Sequence, residues 1–133
     1  ALPLICYEAV FPNDVGAYPQ RPRLLLQITN DAWFGQFSGP YQHLAQARLR
    51  AVEQGLPLLR AANTGISAMI DAKGQVTGQL PLNSAGHIDL KLPLALPMTL
   101  YGETGDFLAI GAIIILLLAV VLSNAIGVRP NDN

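Results

Sequence analysis

The sequence predicts an α/β domain followed by a single membrane-spanning helix. Short apolar runs bounded by turn residues recur along the first part of the chain, and such runs are typical of buried strands. A segment of 22 residues without a charge, from Phe107 to Val128, follows near the C-terminus. As a helix this segment would be roughly 33 Å long, which is close to the thickness of a membrane's hydrocarbon core.

Composition limits the class of protein. The chain has 133 residues, of which 51% are hydrophobic and 13% are charged, so it is apolar for a soluble domain. Its formal net charge is −1 and it has no Lys/Arg cluster, which gives no reason to expect a nucleic-acid partner. The single cysteine, Cys6, excludes an intrachain disulfide and a multi-cysteine metal site. We expect no metal ion and no cofactor.

The first two strands flank a segment that is rich in proline. Leu2 to Ile5 is an apolar run that predicts a strand, and the polar residues after it mark its end. Residues 9 to 23 contain three prolines and predict a short helix or turn followed by a loop. Residues 24 to 29 are apolar on both faces, which predicts a strand inside a sheet that ends in a turn at Asn30 and Asp31.

Glycines and a proline delimit the next element, a helix. Ser38 or Gly39 can cap it, Pro40 suits its first position, and Gly55 ends it. Helical spacing predicts a largely apolar face, which consists of Tyr41, Leu44 with Ala45, Arg48 with Leu49, and Val52.

The sheet continues after the helix. Residues 58 to 62 and 67 to 70 predict two further strands. Residues 71 to 74 predict a hairpin turn with a glycine at positive φ, after which residues 75 to 80 return antiparallel. Residues 87 to 92 alternate between polar and apolar and predict a half-exposed edge strand.

A proline-broken linker, residues 93 to 106, leads to the apolar segment at 107 to 128. We expect a membrane-spanning helix there, because nothing else in the chain is large enough to surround such a helix. Arg129 after the segment, against two carboxylates before it, favours a cytoplasmic location for the short tail at 129 to 133.

Cys6 is the candidate nucleophile. It stands where the first strand ends, a place where a rigid strand holds a side chain while the following backbone N–H groups stay free. A carbonyl attacked by its thiolate would develop its oxyanion near the N–H of Tyr7. Glu8 would lie on the same face as Cys6 if the strand continued. The alternative for a lone cysteine is an inert, buried, small hydrophobic residue.

Several segments together resemble one enzyme family. Cys6-Tyr7-Glu8 after an apolar strand is similar to the nucleophile segment of the nitrilase superfamily. The order and spacing of three later segments resemble the C-terminal part of the apolipoprotein N-acyltransferases, bacterial inner-membrane enzymes of that superfamily. These segments are Ile-Thr-Asn-Asp-Ala-Trp-Phe-Gly at 28–35, Gly-Pro-Tyr-Gln-His at 39–43 and Leu-Leu-Arg-Ala-Ala-Asn-Thr-Gly-Ile-Ser at 58–67.

The resemblance implies a fold, a reaction and a location. Residues 1 to 92 would form the C-terminal part of a nitrilase-like α-β-β-α sandwich in the periplasm. Cys6 would take an acyl chain from a phospholipid as a thioester and pass it to the α-amine of a lipoprotein's N-terminal cysteine. The implied partners are the membrane, the phospholipid acyl donor and the lipoprotein acceptor, and Glu8 would be a supporting residue near the cysteine.

The resemblance also implies that part of the catalytic machinery is elsewhere. In the superfamily a glutamate base and an oxyanion-stabilising lysine lie upstream of the cysteine, and only five residues precede Cys6 here. Lys73 in a turn and Lys91 on an edge strand are expected to be solvated. We therefore expect the chain to be inactive alone and to need the N-terminal half of the same enzyme.

Five further residues are candidates for the neighbourhood of the site. The resemblance places Asn30 and Asp31 beside it. Trp33 and Phe34 are candidates for contact with lipid chains or for closing the pocket, and core packing is the equal alternative. Asn63 lies in a tight turn that would border the site.

Two titratable side chains, His43 and Arg60, complete the set of candidate substrate-binding residues. His43 on an early helical turn is either a base or, as is more common, a structural hydrogen-bonding group. Arg60 falls inside an apolar strand, where an unpaired charge would be costly. We therefore expect Arg60 to pair with a carboxylate, with a phosphate-like ligand as the alternative.

Two other classes of protein stay open at this point. One is a soluble nitrilase-type amidase that acts on small amides, although the segment at 107 to 128 argues against it. The other is a non-catalytic, membrane-anchored module, either a remnant or a partner that completes a split enzyme. In that case Cys6→Ala would leave the role of the chain unchanged.

Overall fold

The computed structural model describes residues 1–16 and 18–127, except for the side chains of residues 125–127. The described chain forms two compact units, Ala1–Glu103 and a second unit that begins at Thr104. Val128, Arg129 and the predicted tail at 129 to 133 lie outside the described residues.

A five-stranded sheet forms the frame of the first unit, and its strands follow one another in chain order. The three parallel strands are β1 (Leu2–Ile5), β2 (Leu25–Asn30) and β3 (Leu58–Asn63). They are joined by helical connections, which a parallel pair requires. The strands β4 (Ser67–Ile70) and β5 (Val76–Leu80) follow through short turns, and each is antiparallel to the strand before it. The antiparallel return of β5 confirms the prediction for residues 75 to 80.

Helical segments connect the parallel strands. A 3₁₀ helix, Cys6–Val10, and the short α1, Pro12–Gly16, follow β1. A 3₁₀ turn, Ala32–Phe34, and the long α2, Ser38–Gln54, follow β2. The helix α2 ends at Gly55, as predicted, and the φ of 61° at this residue lies in the left-handed region that glycine enters without strain.

One face of the sheet is covered by α2 and carries the core. Leu44, Ala47 and Ala51 of α2 pack in one buried cluster with Leu25 of β2 and Leu58 of β3. Alternation along the strands sends every second side chain toward this cluster. The intervening side chains face the other side of the sheet, where much of the surface is exposed.

The buried face of α2 is not its most apolar face. Leu44 is buried, but Tyr41, Leu49 and Val52 are exposed. Hydrophobicity alone does not identify the buried face, because three polar side chains are buried on α2 through hydrogen bonds to other elements. The buried residues of α2 are Pro40, His43, Leu44, Ala47, Arg50, Ala51 and Gln54.

Residues 87–92 form no strand, so the predicted edge strand is wrong. The sheet ends at β5. The Leu90 side chain lies against Gly78 of β5, where it occupies the space that a side chain at residue 78 would need. Alternation alone does not make a strand, because the backbone also needs a hydrogen-bonded neighbour.

The predicted linker is held against the C-terminal end of α2. The Leu96 N–H donates to the Gly55 carbonyl at 2.8 Å. Nη2 of Arg21 donates to the carbonyls of Gln54 at 2.9 Å and Leu96 at 2.8 Å. These hydrogen bonds attach the residues around Leu96 to the first unit. The short helix α3, Leu100–Thr104, follows, and the first unit ends within it, at Glu103.

The second unit contains one long apolar helix, α4, Phe107–Gly127. Its window from Phe107 to Asn124 has a mean hydropathy of 2.7 and no buried residue. The helix is long and apolar enough to cross a membrane, and it coincides with the segment predicted to do so.

A matched pair of substitutions tests which face of α2 is buried. We expect Leu44→Ala to lower the free energy of unfolding by about 2 kcal/mol or more, because it leaves a cavity in the core. Leu49→Ala, which removes the same atoms from an exposed position on the same helix, should change it by less than about 0.5 kcal/mol. Pulse proteolysis across a urea series measures both, and equal losses would contradict the observed face.

Candidate functional site

Three parallel strands end at one edge of the sheet, and the candidate residues follow them. Cys6 comes directly after β1, Asn30 and Asp31 lie at the end of β2, and Asn63 is the last residue of β3. The N–H of Asp31 donates to the Asn63 carbonyl at 3.1 Å, and the Asn63 side-chain amide donates to Asn30 Oδ1 at 3.0 Å. The carboxyl edge of a parallel sheet is where α/β proteins commonly hold their sites.

Cys6 has a rare backbone conformation. Its φ is 55°, in the left-handed region that residues with a side chain seldom adopt and that often marks functional positions. It is partly buried and it begins the 3₁₀ helix. The N–H of Tyr7 therefore lies in the first turn of a helix, where it has no acceptor within that helix.

Glu8 supports this turn from the outside. Its Oε2 accepts a hydrogen bond of 2.6 Å from the N–H of Ile5, the last residue of β1. The shared face expected of Cys6 and Glu8 in a continuing strand does not apply, because the chain becomes helical at Cys6. The carboxylate is thus turned back toward the strand that holds the cysteine.

A buried ion pair lies beneath the Cys6 segment. Nη2 of Arg60 is 2.5 Å from Oδ2 of Asp31, and both side chains are completely buried. The carboxylate expected to pair with Arg60 is therefore Asp31. The other two guanidinium nitrogens also donate, Nε to the Ile66 carbonyl at 3.2 Å and Nη1 to Gln27 Oε1 at 2.6 Å.

His43 and Gln27 close this network into a ring. Nδ1 of His43 is 2.9 Å from Oδ1 of Asp31, and its Nε2 is 3.1 Å from Nε2 of Gln27. The same Gln27 amide nitrogen donates to the Cys6 carbonyl at 3.4 Å. The four side chains are buried, and they hydrogen-bond to one another and to the backbone.

The hydrogen bonds determine the tautomer of His43. Gln27 uses its oxygen to accept from Arg60, so its NH₂ group faces His43 and donates to Nε2. The ring proton then resides on Nδ1, which donates to Asp31. Nη2 of Arg60 lies 3.2 Å from Nδ1, but both nitrogens are donors in this tautomer, so they share Asp31 as acceptor and do not bond to each other. Burial and the nearby Arg60 charge lower the pKa of His43, against the opposing influence of Asp31 and the Cys6 carbonyl. His43 is therefore neutral, with both ring nitrogens in use.

Aromatic rings cover the network on the side of the cysteine. The Tyr7 ring stacks on His43 at a centroid distance of 5.7 Å, and Phe34 meets His43 edge-on at 5.4 Å. Trp33 is 76% exposed and Phe37 is 88% exposed, and the indole N–H is bonded to the backbone of β2. The segment that contributes Phe34 to this cover therefore also exposes two large aromatic side chains to solvent.

The structure separates the predicted residues into two groups. Cys6, Tyr7 and Phe34 border the exposed side of the turn, with Trp33 nearby, whereas Asp31, His43 and Arg60 form the layer beneath. Lys73 and Lys91 are exposed, as predicted. Within residues 1–16 and 18–124, no three His, Cys, Asp or Glu side chains gather closely enough to hold a metal ion.

Gln27 is a member of the buried network that was not predicted from the sequence. Its side chain is fully buried and links Arg60, His43 and the backbone of Cys6. The available signal was a polar residue inside an otherwise apolar strand, opposite Arg60 in the register of β2 and β3. Such a residue must find hydrogen-bonding partners in the interior.

The lowered pKa of His43 predicts a pH dependence of stability. Below about pH 6.5 the unfolded chain takes up a proton at His43 more readily than the folded chain does, so stability should fall as the pH drops from about 7 to 5. His43→Asn should flatten this part of the profile. His87→Asn, at the exposed second histidine, should leave it unchanged. The midpoint of urea unfolding, measured at several pH values, tests this. If His43→Asn and His87→Asn gave the same pH profile of stability, the attribution of the pH dependence to His43 would be contradicted.

Comparison with known proteins gives a consistent result. The family model for carbon-nitrogen hydrolases matches residues 2–96. The apolipoprotein N-acyltransferase of Bradyrhizobium diazoefficiens is 52% identical over 123 residues, which are 92% of this chain and 22% of that protein. The protein of the same name from Rhodopseudomonas palustris is 50% identical over 121 residues, 91% of this chain and 23% of its own length.

A solved structure is also similar. The amidase from Nesterenkonia sp. AN1 aligns with a TM-score of 0.49 and 29% sequence identity, over 61% of this chain and 34% of that one. This chain spans less than a quarter of the length of the two N-acyltransferases. The family match covers the whole sheet and confirms the predicted nitrilase-like α/β fold. The chain belongs to the carbon-nitrogen hydrolase family.

Proposed function

We propose that this chain is the C-terminal part of an apolipoprotein N-acyltransferase and that Cys6 is its nucleophile. The observation that carries the proposal is the conformation of Cys6, the one cysteine of the chain, at a left-handed turn on the carboxyl edge of the parallel strands. The relatives that bear this enzyme name align over most of the chain, and they support the choice of reaction.

The proposed reaction has two acyl substitutions. In the first, the Cys6 thiolate attacks an ester carbonyl of a phospholipid, an S–C bond forms, and the C–O bond to the glycerol oxygen breaks. The proton that the thiol gave to a base passes to that oxygen, and a lysophospholipid leaves. In the second, the α-amine of a lipoprotein's N-terminal cysteine attacks the thioester, a C–N bond forms, and the C–S bond breaks. The amine's proton returns to the thiolate through the base.

Three groups have distinct roles in this proposal. The Tyr7 N–H, free of intrahelical partners, stabilises the oxyanion that forms at the attacked carbonyl. Glu8 holds the turn through the Ile5 N–H and does not act as the base. The base and an additional oxyanion donor come from a preceding part of the enzyme, a view supported by the much greater length of the N-acyltransferases.

The segment from Ala32 to Ala47, which contains several exposed aromatic side chains and which we call the aromatic segment, fits a lipid substrate. From Ala32 to Ala47 the chain has no Asp, Glu, Lys or Arg, and His43 within it is buried and neutral. Trp33, Phe37 and Tyr41 are exposed on this stretch, and aromatic side chains of this kind favour the membrane interface. We place α4 in the bacterial inner membrane, the sheet unit in the periplasm and the C-terminus in the cytoplasm.

Intact-mass spectrometry tests the nucleophile. After incubation with phosphatidylethanolamine and a supplied N-terminal part of an apolipoprotein N-acyltransferase, we expect an acyl adduct that hydroxylamine releases. The chain alone should give at least tenfold less adduct, because it lacks the base. Cys6→Ser should give no hydroxylamine-labile thioester. An unmodified Cys6 that still reacts with iodoacetamide in the mixed sample would favour a non-catalytic, membrane-anchored module.

Fluorescence of Trp33, the single tryptophan, tests the lipid contact. In vesicles of brominated phospholipid we expect strong quenching of Trp33 and a blue-shifted emission, since the indole would lie among acyl chains. The double variant Trp33→Phe, His87→Trp moves the probe to another exposed position of the same unit and should be quenched much less. Equal quenching of the two proteins would argue against specific contact between the aromatic segment and lipid.

A further inference from the structure

We propose that Gln27 is a positioning residue for the acyl-transfer site, because its side-chain amide orients the peptide between Cys6 and Tyr7. The proposal rests on the proposed function in one respect, the assignment of the Tyr7 N–H to the oxyanion. The buried Gln27 side chain does not contact the substrate. It acts through its hydrogen bond to the backbone carbonyl of Cys6.

The peptide between Cys6 and Tyr7 links the position of Gln27 to the direction of the Tyr7 N–H. The Cys6 carbonyl and the Tyr7 N–H belong to the same trans peptide, so they point in opposite directions. Nε2 of Gln27 donates to that carbonyl at 3.4 Å, and the Gln27 side chain has no exposed surface. The carbonyl is thus drawn toward the interior, and the Tyr7 N–H is directed away from it, toward the exposed side of the turn.

The orientation of the Gln27 amide is itself fixed. Its oxygen accepts from Nη1 of Arg60 at 2.6 Å, which leaves the two N–H donors for the lone pair of His43 Nε2 and for the Cys6 carbonyl. A flipped amide would turn its NH₂ group toward the guanidinium and its oxygen toward the His43 lone pair, so neither contact would be a hydrogen bond. The buried Arg60–Asp31 pair therefore determines which atom of Gln27 faces Cys6.

The turn at Cys6 needs such support. A residue with a side chain at φ 55° is strained and persists only where its surroundings hold it. Glu8 holds the N–H of Ile5 before the turn, and Gln27 holds the Cys6 carbonyl after it. If the second contact were lost, rotation of the peptide could turn the carbonyl oxygen toward the oxyanion position, where it would repel the developing charge.

Two reactions of the same thiol distinguish positioning from general damage. Attack on a p-nitrophenyl ester passes through an oxyanion, whereas alkylation by iodoacetamide does not. For the detergent-solubilised chain, with both rates taken on the high-pH plateau where the thiol is ionised, Gln27→Glu and Gln27→Met should lower the ratio of acylation to alkylation by roughly tenfold or more. Gln46→Glu and Gln46→Met, at an exposed glutamine of α2, should leave the ratio unchanged.

The outcomes separate the two proposals. If the Gln27 variants lose both rates together, or neither, Gln27 has no positioning role. A second readout does not depend on acylation: in a ¹⁵N-tyrosine-labelled sample, the Tyr7 amide should show exchange broadening or a second resonance in Gln27→Glu, and a single sharp resonance in Gln46→Glu. A sharp Tyr7 resonance in both variants overturns the inference. A wild-type Cys6 that alkylates but is not acylated even when the N-terminal part is supplied, with Tyr7 responsive to Gln27, refutes the proposed function and leaves the positioning role intact.

Discussion

The guanidinium of Arg60 lies in the middle of β3 with 3% of its residue surface exposed, and a charge in that position must be paired and hydrogen-bonded to be tolerated. Asp31 supplies the opposite charge, and Gln27 and the Ile66 carbonyl each accept a hydrogen bond from another guanidinium nitrogen. These contacts bind the end of β2, the middle of β3 and, through His43, the first turns of α2. Removing either ionic partner would leave the other charge buried and uncompensated, so the arrangement of these elements depends on both.

The buried network of Gln27, Asp31, His43 and Arg60 lies directly beneath the candidate site. Tyr7 stacks on His43, and the Cys6 carbonyl receives a hydrogen bond from Gln27, so the segment of Cys6 and Tyr7 rests on side chains that are fixed by their own hydrogen bonds. A hydrophobic interior of equal volume would fill the space, but it could not hold a backbone carbonyl in one direction. Directional hydrogen bonds therefore connect a charge in the core to the conformation of an exposed turn.

The surfaces of the sheet unit are unusually apolar for a protein in water. Ile5 and Ile28 are register partners on the sheet face opposite α2, and about half of each is exposed. Trp33 and Phe37 are more exposed still. Exposed apolar surface is typical of contact with other protein or with lipid. The chain also contains a helix long and apolar enough to cross a membrane, and the related N-acyltransferases are more than four times as long as the aligned part.

The sequence by itself determined the features that depend on local signals. The sheet's strands, the end of α2 at Gly55, the break after β1 at Cys6 and the apolar α4 follow from runs, turn residues and length. The tertiary structure decided which face of α2 is buried, that residues 87–92 are not a strand, and where Glu8 and Gln27 point. Each of these depends on a partner that the local pattern does not identify. Gln27 and Arg60 are 33 positions apart, and only the register of β2 and β3 brings them together. Hydrophobic periodicity predicts where apolar side chains are buried. It does not predict the burial of a polar side chain whose hydrogen-bonding partner is distant in the sequence.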